Sequence, residues 1–156
     1  MLGKDARGEA LDTDKIEYMK GRLLQVLKCV LAVYLIITFY ITVVSRASSG
    51  NNLIRTEWLE GYKSVHDVYG NSENYLNILL FVPIGCLVGL VARKYRLIHA
   101  FLVGLFVSET IECAQLIWQR GTFDVNDLMN NTIGALIGGL IAVAVINGTQ
   151  RHKDTK

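Results

Sequence analysis

Apolar positions gather into four long runs separated by short polar segments. The first run is Leu23–Val44, broken only by Gln25 and Lys28 near its start; the second is Leu76–Ala92, short and holding the sole proline. The third is Leu97–Trp118, and the fourth extends from about Asp127 to Ile146, rich in glycine and alanine. A membrane-crossing helix needs about 20 predominantly apolar residues, because the hydrocarbon core is about 30 Å thick and each residue rises 1.5 Å. The pattern therefore predicts four transmembrane helices, at about 23–44, 76–92, 97–118 and 127–146. Short turns after the second and third runs make those neighbours antiparallel. Within the longer segment 45–75, Ile54, Trp58, Leu59, Tyr62 and Val65 recur at helical spacing with Arg55, Glu57, Glu60 and Lys63 between them. That alternation predicts an interfacial helix between the first and second spans, aromatic side toward the lipid.

Composition and charge sharpen this picture. Of 156 residues, 51% are hydrophobic and 19% charged, and the charge is crowded into 1–22, 45–75, 93–96 and 150–156. Such partition excludes a disordered scaffold and a disulfide-stapled secreted domain, and fits an all-α integral membrane protein. Arg93, Lys94 and Arg96 form the tightest basic cluster, so the turn between the second and third spans is expected on the cytoplasmic side. The tail, 148–156, carries excess base, and the mixed-charge leader, 1–22, holds Lys4, Arg7, Lys15, Lys20 and Arg22; both are expected on that side too. The segments 45–75 and 119–127 then lie outside. Expected is an antiparallel bundle of four transmembrane helices, N-in and C-in. Ser45-Arg46-Ala47 loosely resembles a signal-peptide cleavage site, but the long mixed-charge leader favours an uncleaved first span.

Polar residues inside the spans carry the candidate chemistry, since charge at membrane depth is costly and marks function by default. Glu109 and Glu112 lie in the third span, where an acid at the centre costs about 2.5 to 3.5 kcal/mol on insertion scales. Both are expected to turn toward the bundle or toward water. Ser108, Glu112, Gln115 and Gln119 form one helical stripe, with Glu109 off its centre; Asp124, Asp127, Asn131, Gly134 and Gly138 form another. Glu112 should lie roughly 9 Å below the outer end of its span. Asn77, Glu112, Gln115, Arg120, Asp124, Asp127 and Asn131 thus collect on the outer side as candidate ligand-binding residues. Gly85 with Gly89, and Gly134 with Gly138, are small-xxx-small pairs that let helices approach closely. Pro83 suits a kink in a crowded interior.

Plainer roles compete with these. Asp124 and Asp127 are placed to cap the fourth helix, Arg120 to pair with Asp124 or Glu112, Glu109 to sit buried and hydrogen-bonded, and Lys28 to snorkel. Cys29, Cys86 and Cys113 have no paired spacing, and His66, His99 and His152 are isolated. No cofactor is expected; for a divalent metal only Asp124 and Asp127 offer weak candidate ligands. The basic residues flank the spans rather than forming one face, so nucleic acid is not an expected partner.

Three blocks, NILLFVPIG (77–85), SETIECAQ (108–115) and RGTFDVNDLMNNTIGALIG (120–138), together resemble the VanZ-like membrane proteins, in order and spacing. Carried over, the family's recurring positions fall on Asn77, Pro83, Gly85, Glu112, Gln115, Arg120, Asp124, Asp127, Asn131 and Gly134; Glu109 departs from the pattern. The resemblance implies an accessory role in resistance to glycopeptide antibiotics such as teicoplanin. Expected partners are the lipid bilayer and a lipid-linked cell-wall precursor or lipoglycopeptide, with a homo-oligomer left open. Two other function classes stay open: an intramembrane enzyme on a lipid-linked precursor, with Glu112 as catalytic acid or base, and a small ion-coupled transporter.

Overall fold

The computed structural model describes residues 6–45, 54–55, 72–120 and 123–154. Among them, helix α1 (Ala6–Phe39) passes into a π-helical turn at Tyr40–Val44. Helices α2 (Ser72–Val91), α3 (Arg96–Ile117) and α4 (Val125–Asp154) follow. Two short strands, β1 (Ile54–Arg55) and β2 (Phe123–Asp124), pair in parallel with Ile54 opposite Phe123 and Arg55 opposite Asp124.

Three helical stretches are long and apolar enough to cross a membrane: Asp14–Val44, Arg96–Ile117 and Val125–His152. The apolar part of α2, Tyr75–Val91, is shorter. Three full-length candidates thus stand where the sequence suggested four. Regular helix also runs beyond the apolar stretches at both ends. Helix α1 starts at Ala6 and α4 runs to Asp154, through Gly21 and Gly148, with no proline at either junction. The predicted interfacial helix needs correction at its start. Ile54 and Arg55 are extended, since the backbone ahead of α4 offers a strand to pair with. Trp58, Leu59, Tyr62 and Val65 lie outside the described residues.

Helices α2 and α4 meet backbone to backbone. A Cβ at Gly85 would overlap the Ala135 carbonyl, one at Gly134 the Ile78 carbonyl, and one at Gly138 the Val82 carbonyl. Only glycine permits that approach, and in lipid such close packing replaces the hydrophobic drive that water would supply. On another side of α4, a Cβ at Gly139 would come within 2.8 Å of the Ala100 methyl of α3. Helix α2 runs on through Pro83. Helix α1 joins through the Tyr34 hydroxyl, which donates to the Leu80 carbonyl at 3.0 Å, and through an edge-to-face contact of Phe39 with Trp118, centroids 5.8 Å apart. Val43, Phe81, Ile84, Val88, Ile111 and Ala135 form the apolar core, drawing on all four helices.

Both described inter-helix turns are closed by backbone geometry that is unusual for their residues. Between α2 and α3, Tyr95 takes a left-handed φ of 51°, and the Arg96 guanidinium donates to the carbonyls of Gly89 (2.6 Å) and Ala92. A cation at the C-terminus of α2 also complements the helix dipole. At the end of α3, Gln119 N–H bonds the Leu116 carbonyl (3.2 Å) and Arg120 N–H the Gln115 carbonyl (2.8 Å), with Gln119 left-handed at φ 54°. This is a Schellman closure in which glutamine takes the place glycine usually fills.

A buried polar layer joins the four helices

At the end of the bundle formed by the C-termini of α1 and α3 and the start of α4, the core turns polar. Ser108, Glu112 and Gln115 on α3 are each no more than 1% exposed, as buried as Phe81 or Ile84. Burial on this scale is sustained only where the groups are hydrogen-bonded. Glu112 Oε2 accepts the Asp124 backbone N–H at 2.9 Å, and Asp124 Oδ1 in turn accepts the Asn126 N–H at 2.8 Å. Asp124 therefore caps α4, and Glu112 fixes the strand that leads into it. Asn77 on α2 donates to Asp127 Oδ1 at 2.6 Å, and Asn131 donates to Ser108 Oγ at 2.8 Å.

Helix α1 enters the layer through main-chain oxygens. Gln115 Nε2 donates to the Thr42 carbonyl at 2.9 Å, and the Arg120 guanidinium donates to the Val44 carbonyl. These carbonyls belong to the π-helical turn, whose last C=O groups lack partners within the helix. Charge follows the helix dipoles: a guanidinium at the C-terminus of α1, and Asp127 in the first turn of α4.

All seven candidate ligand-binding residues, Asn77, Glu112, Gln115, Arg120, Asp124, Asp127 and Asn131, thus lie in one polar layer at the same end of the bundle. Glu109 does not. It is exposed on the outer surface of α3, so of the two acids only Glu112 faces the bundle. One turn of helix separates them, and the packing of α3 against α4 selects Glu112 for the interior. Position in the sequence gave no sign of the contribution of Thr42 and Val44. The one cue was Thr38 and Thr42, spaced one turn apart in an otherwise apolar run. Thr38 is buried and Thr42 Oγ1 donates to its carbonyl at 2.8 Å.

Two buried acceptors, Gln115 Oε1 and Asn131 Oδ1, have no hydrogen-bond partner among the described residues. Each is a place where a hydroxyl, amide or water donor would be stabilising. Recesses of about 590 Å³ and 480 Å³ flank the π-helical turn. The larger lies between α1 and α2 against Tyr34, Ile41, Thr42, Asn77 and Pro83; the smaller is lined by Val44, Trp118 and Arg120. Among the described residues, no three His, Cys, Asp or Glu side chains come together as metal ligands.

Large apolar side chains such as Ile36 (68% exposed), Phe106 (69%) and Ile117 (73%) cover the outside of the helices. An exterior of that kind suits lipid or a partner helix rather than water. The fold and the polar layer define an all-helical membrane protein. The chain belongs to the VanZ/LLP1 family, whose sequence model matches residues 27–146. It is also similar to Protein VanZ of Enterococcus faecium, with 31% identity over 62 residues. That match covers 40% of this chain and 38% of the relative, so the chain spans well under half the length of the curated protein it matches. No solved structure gives a significant match.

Proposed function

We propose that all four helices cross a bacterial plasma membrane, both termini lying in the cytoplasm, and that the polar layer opens outward. There it engages a cell-envelope component and lowers susceptibility to glycopeptide or lipoglycopeptide antibiotics. Orientation follows from the basic turn, since Arg93, Lys94 and Arg96 stand at the end of α2 and α3 opposite to Arg120 and Asp124. The short apolar part of α2 spans about 26 Å at 1.5 Å per residue, a mismatch that local thinning of the bilayer accommodates. Family membership brings in the antibiotic.

The observation that carries the reading is the recess at the rim, where Arg120 stands beside Trp118. A planar guanidinium next to an indole suits a phosphate or carboxylate attached to an apolar body, which describes lipid-linked precursors and lipoglycopeptides alike. Arg120→Lys tests it, because lysine keeps the charge at the α1 terminus and loses the two-pronged geometry. The variant should reach the membrane in normal amounts and lose protection against a lipoglycopeptide in a susceptibility assay. Unchanged protection at equal abundance would contradict the proposal.

Glu112 as catalytic acid or base is the second reading, favoured by its burial and opposed by the positioning role it has at the Asp124 N–H. Turnover of a lipid-linked precursor by purified protein, abolished in Glu112→Gln, would put this reading first.

A further inference from the structure

Helix α3 presents an outward stripe of Ile98, Leu102, Phe106, Glu109, Cys113 and Ile117, in which the one charged residue is Glu109. The carboxyl lies about 12 Å from the α3 C-terminus and about 20 Å from its start. That puts it well inside the hydrocarbon, beyond the reach of a short acidic side chain to either headgroup layer. It has no hydrogen-bond or ion-pair partner among the described residues. The neighbouring Thr110 hydroxyl is taken up by the Phe106 carbonyl, at 2.8 Å. The basic residue of the first span nearest to this depth, Lys28, is about 24 Å of helix below Val44 and therefore toward the opposite side. Nothing along the described helices answers the group, and a lone acid facing lipid is not a stable end state.

We propose that this face of α3 is the contact between two copies of the chain, with the two Glu109 carboxyls meeting at a two-fold axis. A carboxyl group is its own complement. As carboxylic acids, two of them exchange a pair of hydrogen bonds, each hydroxyl donating to the carbonyl oxygen of the other, and an isologous contact brings a residue near the axis against its own copy. The stripe has the shape for it. Around Glu109 the outward side chains are small, Thr110 and Cys113, between the larger Phe106 and Ile117, so two helices approach closely at the level of the acid. A heterologous partner would need its own cation or amide at that depth; a second copy brings the match with it. Glu109 is exposed where Glu112 and Gln115 are buried, so the contact lies beside the polar layer and each copy keeps its own. The proposal rests on the spanning arrangement given above but not on the antibiotic or its target.

Cys113, one turn from Glu109, is the reporter. In a Cys29→Ala, Cys86→Ala background it is the sole thiol, and mild oxidation of native membranes with copper phenanthroline should give a disulfide-linked dimer. Glu109→Leu in that background should cut the dimer about tenfold, the equivalent of one interhelical polar contact in lipid. Glu109→Gln, which keeps a donor and an acceptor, should retain most of it. A chain that stays monomeric, a yield unchanged by Glu109→Leu, or cross-linking to a different protein would each overturn the proposal. A thiol-free chain bearing Ser45→Cys separates the two failures. Labelling of position 45 from outside with an impermeant maleimide means that a missing dimer counts against the interface alone. Labelling from the cytosol alone would overturn the orientation given above, and the cross-linking result would then decide the interface by itself.

Discussion

Arg120 owes its aim to the residue before it. Gln119 holds a left-handed φ of 54°, which costs a side-chain-bearing residue about 1 to 2 kcal/mol. The surrounding Schellman bonds offset that cost and swing Arg120 back over the end of α1. Gln119→Val, β-branched at a position that disfavours branching, should destabilise the protein by about 1 to 2 kcal/mol more, read as a lower midpoint in thermal or denaturant unfolding of the purified protein. Glu112 offers a cleaner contrast. Glu112→Ala strands the part-buried Asp124 N–H and should cost about 1 to 3 kcal/mol. Glu112→Gln keeps an acceptor there and should cost far less in the same assay. A large loss in both variants would mean that the negative charge, rather than the hydrogen bond, holds the strand in place.

Between elements, the tightest tolerance is where α2 meets α4. Gly85→Ala or Gly138→Ala drives a methyl into a facing carbonyl and should destabilise by about 1 to 3 kcal/mol, with reduced abundance in the membrane. Gly148→Ala meets open space on the same helix α4 and should be neutral, or stabilising by up to about 1 kcal/mol. Equal effects at positions 138 and 148 would show that helix propensity, not close approach, is being measured. The same two helices are tied by Asn77 and Asp127 at 2.6 Å. In a double-mutant cycle, Asn77→Leu and Asp127→Leu should couple by about 0.6 to 1.7 kcal/mol, the range for interhelical hydrogen bonds in membranes. The loop partner of the layer, β1 against β2, pairs residues far apart in the chain, so local periodicity around Ile54 pointed to helix where the backbone is extended.

For the whole molecule, the apolar runs of the sequence marked the helices, because hydrocarbon thickness sets their length directly. They did not mark the helix ends. Helix α1 extends back through Lys20 and Glu17, and α4 runs on past Gly148, since hydropathy reports where lipid stops and not where hydrogen bonding does. The polar layer was legible as a convergence of residue types at one end. The role of each residue was not: Gln115 and Arg120 reach main-chain oxygens of α1, which no side-chain pattern encodes. Glu109 and Glu112 sit almost on one face by spacing, and only the packing of neighbouring helices separates the interior acid from the exterior one. The central claim is that the layer holding Glu112 and Arg120 lies at the outer surface of the membrane, with the basic turn at the inner. Impermeant maleimide labelling of single-cysteine variants in intact cells tests it most directly. Gln119→Cys should react in intact cells and Tyr95→Cys only after permeabilisation; the reverse order would contradict the account.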